Sequence, residues 1–297
     1  MTTATLALGL TGSADSTIRS GLVLVLLAFS VHVAVRSGMF SLAGVGFYGI
    51  GAYAAAVLAL GDQDPVLAVV AATALCAVLG AGLGIVLGRL RALYLAMATL
   101  AFVLLVQVLA IEWEAVTGGA LGLFGVPAAV GTPVLGTVAA AVAAGVALAE
   151  RGRSGRILEA LRLDDQLAEA LGVAVVRRRR VAFVVSSALG GLAGALAALS
   201  FSVLTPDDVS FSLIVDVLTI IVIGGTAAWY GPVIGAFVVV WLPEVLGFLG
   251  TARPLVQGAL VVLLIVLAPE GAVGLVHAVR RWRRPRSSDP LPTEVVR

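Results

Sequence analysis

Gly44, Gly46 and Gly49, in the run GVGFYG, have the spacing of a dinucleotide-binding turn. Such a turn needs a preceding strand and a polar setting. Here the glycines lie inside a continuous apolar run, where glycine instead lets helix backbones approach closely or lets a helix bend. Gly80, Gly84 and Gly88, and Gly190 with Gly194, read the same way. His32, Asp216 and Glu244 are ionisable residues set among apolar neighbours. An Asp at the centre of a membrane helix costs about 2.5–3.5 kcal/mol on insertion scales. All three are therefore expected to be interfacial or paired with a neighbouring helix, His32 as a neutral, hydrogen-bonded imidazole. They form no row of carboxylates across a membrane, which counts against a carrier with its own proton or sodium site. All 19 basic residues are arginine. Without lysine there is no phosphate loop of the GxxxxGK[ST] type and no Schiff base. The single cysteine, Cys76, excludes an internal disulfide and a CxxC site, and His32 and His277 form no HExxH. The sequence thus predicts no catalytic residue, no metal ligand and no cofactor in this chain.

The elements around these residues follow from composition. Of 297 residues 60% are hydrophobic and 12% charged, against roughly 25% charged in soluble domains. A mean hydropathy of +1.11 leaves too little polar surface for a soluble enzyme or a nucleic-acid-binding module. It also excludes a disordered chain. The apolar runs are continuous rather than alternating, so the fold class is all-α, a polytopic helical membrane protein. About nine spans are predicted, near 20–35, 39–60, 65–88, 92–111, 128–149, 181–204, 213–230, 232–249 and 255–275. The boundary at GGTAAWYGP, between the seventh and eighth, carries no charge. The first fifteen residues lack a basic n-region, so no cleaved signal peptide is expected. The organisation is an extracytoplasmic segment 1–19, a transmembrane domain 20–276 holding a polar loop 150–180, and a basic tail 277–297.

Arginine placement predicts orientation. With the 150–180 loop in the cytoplasm, Arg36, Arg89, Arg91, the eight loop arginines and six between Arg280 and Arg297 lie inside. That is seventeen of nineteen, with Arg19 and Arg253 outside. The outer loops then hold Asp62, Asp64, Glu112, Glu114, Asp207 and Asp208. The N-terminus is therefore expected outside and the C-terminus inside.

The 150–180 loop has a net charge of +3 and is long enough for a short helix, not a domain. Asp164 or Asp165 can cap its start and Gly172 can end it in the left-handed conformation. Leu167, Ala170 and Leu171 would share one face, Gln166 and Glu169 another. It reads either as a surface helix under the bundle or as a helix that docks in a partner's groove.

Several motifs together resemble a known family. These are FSLAGVGFYGIGAY (40–53), LRALYLAMATLAFVLLVQVL (90–109), TGGALGLFGVP (117–127), GRILEALRLDDQLAEALGVAVVRRR (155–179) and IVIGGTAAWYGPVIGAFVVVWLPEVL (221–246). They resemble the permease subunits of branched-chain amino-acid ABC transporters, and most closely the M-type of the two permease halves. The closing LLIVLAPEGAVGLV (263–276) is similar to the family's last span. The resemblance runs in order over about residues 20–276.

It implies a second, related permease subunit, two cytoplasmic ATPase subunits holding ATP and Mg, and an extracytoplasmic substrate-binding protein. It implies a place in the bacterial inner membrane, where arginine-only, alanine-rich usage also suggests a GC-rich genome. It implies a segment coupling to the ATPases at 156–172, with Arg162, Asp164, Asp165, the Ala168–Glu169–Ala170 core and Gly172. Ser41, Gly44, Gly49 and Gly51, with Gly224, Gly225, Gly231 and Pro232 at the turn, would line the path or let helices slide during alternating access. The chain departs from the family twice. In the family a polar residue, often His or Gln, commonly follows a glycine after the Ser–Leu pair, whereas here Ser41 and Leu42 are followed by Ala43 and Gly44; and GGTAAWYGP replaces GGxGSxxGP. Branched-chain or related small amino acids are the expected substrates. Urea, short-chain amides, sugars or nucleosides remain open within the class, and an ion-coupled carrier or channel outside it.

Overall fold

The computed structural model describes residues 2–245 apart from 89, 91, 164 and 171. Over these residues the chain is mostly helical, in the order α1 (Thr2–Arg36), α2 (Ala43–Leu60), α3 (Pro65–Leu87), α4 (Ala92–Glu112), α5 (Glu114–Thr117) and α6 (Thr132–Ala149). There follow α7 (Gly152–Leu163), α8 (Asp165–Ala170), α9 (Val175–Phe201), α10 (Phe211–Gly224) and α11 (Gly231–Val245). Two short strands, β1 (Leu123–Phe124) and β2 (Val203–Leu204), pair antiparallel with Leu123 opposite Leu204 and Phe124 opposite Val203.

Local chemistry sets several boundaries. Asp64 caps α3, its side chain accepting from the Val66 N–H at 2.8 Å, with Pro65 in the first turn. Thr205 and Asp208 form a reciprocal capping box on the 3₁₀ turn Pro206–Val209. Among the described residues six helices are long and apolar enough to cross a membrane: Asp15–Arg36, Ala43–Leu60, Pro65–Leu87, Leu93–Glu112, Thr132–Ala149 and Val175–Phe201. These are the first six expected spans, with boundaries shifted by up to six residues; the largest shift is in the sixth. The sixth begins at Val175 rather than 181, so Arg177–Arg180 ride on its first turns instead of in a loop.

The seventh expected span is the short helix α10, of 14 residues, and the eighth falls on α11, described as far as Val245. Fourteen residues rise about 21 Å, less than the roughly 30 Å hydrocarbon core. The chain breaks between them at the glycine-rich turn. The ninth expected span, Arg253 and the tail lie outside the described residues.

The core sits on α2 and α9. Of their apolar windows 72% and 67% of residues are buried, against 22% for α3 and for α6. The outer helices therefore show apolar faces such as Val66, Val70, Val78 and Val86 to their surroundings, as a lipid-facing or partner-facing helix does. Because consecutive long helices alternate in direction, the bundle has two ends. One holds Arg36, α7, α8 and the start of α9; the other holds β1, β2 and the turn Pro206–Val209.

Candidate functional site: a jointed bundle with a polar platform

The glycines singled out in the sequence are points of backbone contact. A Cβ at Gly51 would strike the Gly191 backbone, and one at Gly44 would strike Ser30 Oγ. A Cβ at Gly49 would come within 2.7 Å of Val209 Cγ1. Of these, Gly51 faces α9; with Gly190 against the Gly44 backbone and Gly194 against the Tyr48 backbone, it lets α2 and α9 touch without side chains between them, while Gly49 makes room for Val209. Polar groups are buried beside the seam. Ser30 Oγ and Ser186 Oγ lie 3.5 Å apart, Ser41 Oγ accepts from the Ala43 N–H at 3.3 Å, and Thr99 Oγ1 accepts from the Leu42 N–H at 3.1 Å. Ser41 is thus a buried group closing the start of α2, 1% exposed.

The turn glycines act between α10 and α11. Gly225 has φ +80°, which ends α10 in a conformation glycine adopts without cost, and its N–H bonds the Ile221 carbonyl at 2.9 Å. A Cβ at Gly224 would strike the Gly231 carbonyl, and one at Gly235 the Ile220 carbonyl, so the two helices form a close hairpin. Pro232 stands in the first turn of α11, where its missing N–H costs nothing.

At the Arg36 end of the bundle stands the polar platform. The loop holds two helices, α7 and α8, rather than the single one expected. Gly172 ends α8 as the sequence suggested, with φ +80°. Its N–H bonds the Glu169 carbonyl at 2.9 Å, and the Val173 N–H bonds the Ala168 carbonyl at 3.1 Å. Of the face expected for this helix, Ala170 is exposed, and the side chains of Leu167 and Leu171 lie outside the described residues. Ala168 is fully buried with Leu161 and Val175 in a small satellite core, while Ala170 and Glu169 are exposed. Asp165 opens α8, and Asp164 lies outside the described residues. Arg162 is exposed, and its Nη1 reaches the Thr226 carbonyl at 3.5 Å. The platform thereby meets the α10–α11 turn, although the two regions carried separate expected roles.

One cluster was missed by the sequence reading. His32 Nε2 lies 2.8 Å from Glu150 Oε1, and Arg36 Nε donates to the same oxygen at 3.2 Å. Arg36 Nη1 pairs with Glu159 Oε2 at 2.7 Å. His32 is 0% exposed and Arg36 6%. The carboxylate accepts, so Nε2 carries the hydrogen, while Nδ1 has no partner among the described residues. The hydrogen-bonded imidazole expected at His32 is present, and its partner is the residue after α6. The signal was available: His32 and Arg36 are four apart and share one helix face. Glu150 and Glu159 were counted only as loop charges.

Asp216 lies on α10 and lines a cavity of about 300 Å³ at the β1–β2 end, with Tyr48, Asp207 and Asp208. Glu244 lies in α11, and its side chain is outside the described residues.

The family described as "Branched-chain amino acid transport system / permease component" matches residues 13–269. The chain is 29% identical to the high-affinity branched-chain amino acid transport system permease protein LivM of Salmonella typhimurium strain LT2, over 84% of this chain and 67% of that protein. It is 28% identical to the LivM of Escherichia coli K12 over the same shares. No solved structure gives a significant match. The match to the family spans most of a multi-pass helical chain whose sequence motifs fall on the α2–α9 seam, the platform and the α10–α11 turn. This protein belongs to the branched-chain amino acid transport system permease components.

Proposed function

We propose that the chain is the transmembrane permease subunit of an ABC importer for branched-chain or related small amino acids in a bacterial inner membrane. The observation that carries this reading is the family match over residues 13–269. Without lysine the chain has no phosphate loop, so ATP and Mg belong to two partner ATPase subunits. A second, related permease completes the path, and a binding protein delivers substrate from outside.

In the proposed cycle, closure of the ATPases moves α7 and α8. Two contacts carry that motion onward: Arg36–Glu159 to α1, and Arg162 to the α10–α11 turn. The glycine seam between α2 and α9 allows the helices to slide, giving alternating access. Charge placement supports the orientation. Arg36, Arg151, Arg156, Arg162 and Arg177–Arg180 gather at the platform end, and Asp62, Asp64, Glu112, Glu114, Asp207 and Asp208 at the other. The platform end is then cytoplasmic, and nine spans place the N-terminus outside.

Reconstitution tests the reading. Leucine uptake into proteoliposomes should require the two ATPases and ATP. Uptake by this chain alone, driven by an ion gradient, would overturn it. With Cys76→Ala as background, impermeant maleimide should label Asp62→Cys, Glu114→Cys and Asp208→Cys in intact cells. Labelling of Asp165→Cys there would overturn the topology.

A further inference from the structure

A crevice of about 330 Å³ opens at the platform end of the bundle, between the second half of α6 and the first half of α9, with α1 and α7 completing its walls. Its volume is at the small end of ligand pockets. The lining changes character along its length. Val142 and Val146 on α6, with Val181, Val185 and Leu189 on α9, make most of it hydrocarbon. Arg36, Glu150 and Arg178 stand at the platform end. Val181 and Val185 are 55% and 41% exposed on a helix long and apolar enough to cross a membrane, so the crevice is open to what surrounds the bundle.

The charges at the polar end are unequally engaged. Arg36 Nε and His32 Nε2 already occupy Glu150 Oε1, at 3.2 and 2.8 Å, and Arg36 Nη1 holds Glu159. The Arg178 side chain has no hydrogen bond or ion pair among the described residues. It lies near the start of α9, the end at which the helix dipole is positive. The dimensions are an independent observation. From Arg178 to Leu189 the helix rises about 16 Å at 1.5 Å per residue, half of the roughly 30 Å hydrocarbon core. The crevice therefore runs the depth of one leaflet, from an arginine at the surface to a leucine near the midplane. Gly145 lines it, and a Cβ there would meet nothing within 4 Å, so α6 leaves the space unfilled.

We propose that this crevice holds one phospholipid with a net anionic headgroup, its phosphate on Arg178 and one acyl chain along α6 and α9. A guanidinium meets a phosphate bidentately and stays charged. Basic pockets between membrane helices bind anionic headgroups for this reason. A free phosphate would use Arg178 but leave the apolar length empty. A neutral lipid would fill the length but leave Arg178 unpaired, and a zwitterionic headgroup would bring its own cation into the run Arg177–Arg180. The acyl chain would also meet Leu158 of α7, so the lipid ties the platform to the bundle. The inference goes beyond the permease reading, since it needs the bundle to cross a membrane and not to carry any particular substrate.

Native mass spectrometry of the full chain, released from detergent micelles, tests this with phosphatidylglycerol and with phosphatidylcholine of the same acyl chains. Wild type should retain one phosphatidylglycerol, several-fold more than phosphatidylcholine. Arg178→Gln should bring the two lipids level. Arg180→Gln, which removes an arginine outside the crevice lining, should not. Gly145→Leu puts a side chain into open space, so the chain should fold as wild type yet lose both lipids several-fold. The Arg178→Gln comparison stands whether or not Gly145→Leu folds. A diazirine on the acyl chain of phosphatidylglycerol, activated in nanodiscs, should label peptides covering 142–149 and 181–189. Equal retention of the two lipids by wild type, retention unchanged in Arg178→Gln or in a folded Gly145→Leu, or an equal loss in Arg180→Gln would each overturn the proposal. So would label confined to other helices. Label that disappears once a second permease subunit is bound would make the crevice a contact between subunits and overturn it as well.

Discussion

Arg36 Nη1 lies 2.7 Å from Glu159 Oε2, joining the last residue of α1 to the middle of α7 across 123 positions of chain. Arg36 is buried and also holds Glu150, whereas the Glu159 side chain is 48% exposed. The two ends of this contact therefore differ in energetic weight. They also differ in what their loss would do to the molecule.

Arg36→Met should be costly. It strands Glu150, 9% exposed, with only His32 beside it, and breaking a buried pair on one side costs about 3–5 kcal/mol. Glu159→Gln removes only a half-exposed charge, worth about 0–1 kcal/mol. Thermal unfolding of the detergent-purified chain should fall steeply for the first and stay near wild type for the second. If the contact transmits motion, Glu159→Gln should still lower uptake by the complex. Equal melting temperatures for both variants would show that the cluster is not a buried ion pair.

The α2–α9 seam gives a second expectation. Gly51→Ala places a Cβ on the Gly191 backbone, which has no flexible end to move aside. Overpacking of this kind costs about 1–3 kcal/mol or more. Gly82→Ala, on the exposed side of α3 with nothing within 4 Å of the new Cβ, should gain up to about 1 kcal/mol from helix propensity. Melting curves of the two variants should move in opposite directions. A Gly51→Ala protein as stable as wild type would mean that α2 and α9 do not meet at this seam.

The contrast between these glycines marks how far the sequence could be read. Apolar run length located the first six long helices because a membrane helix must bury its backbone polarity internally, whatever its neighbours. Gly172 was legible for a similar reason: a polar helix end followed by new structure calls for a left-handed residue. Which of the 35 glycines pack was not legible, since Gly51 and Gly82 differ only in what faces them. The burial of Ala168 was not legible because it packs against Leu161 and Val175, which belong to other helices. The Arg36–Glu150–Glu159 cluster and the acidic cavity were hidden likewise, each joining residues more than a hundred positions apart.

Gly172 and Glu169 provide the last expectation. Gly172 has φ +80°, and a Cβ there would meet nothing within 4 Å. The cost of a side chain is thus purely one of backbone conformation, roughly 1–2 kcal/mol for a left-handed residue and more for a β-branched one. Gly172→Val should redirect the chain between α8 and α9, whereas Gly172→Asn, tolerated at such positions, should behave nearly as wild type. Glu169→Arg reverses an exposed charge without touching the buried Ala168. None of these residues lies in a long apolar helix, so membrane insertion and stability should survive. In the reconstituted complex, Gly172→Val and Glu169→Arg should lose uptake together with stimulation of ATP hydrolysis by loaded binding protein. Wild-type uptake in both variants would make α8 a surface helix with no part in coupling. Loss in Gly172→Asn equal to that in Gly172→Val would assign the effect to the glycine's lack of bulk rather than to its handedness, because asparagine keeps the conformation and adds only the side chain.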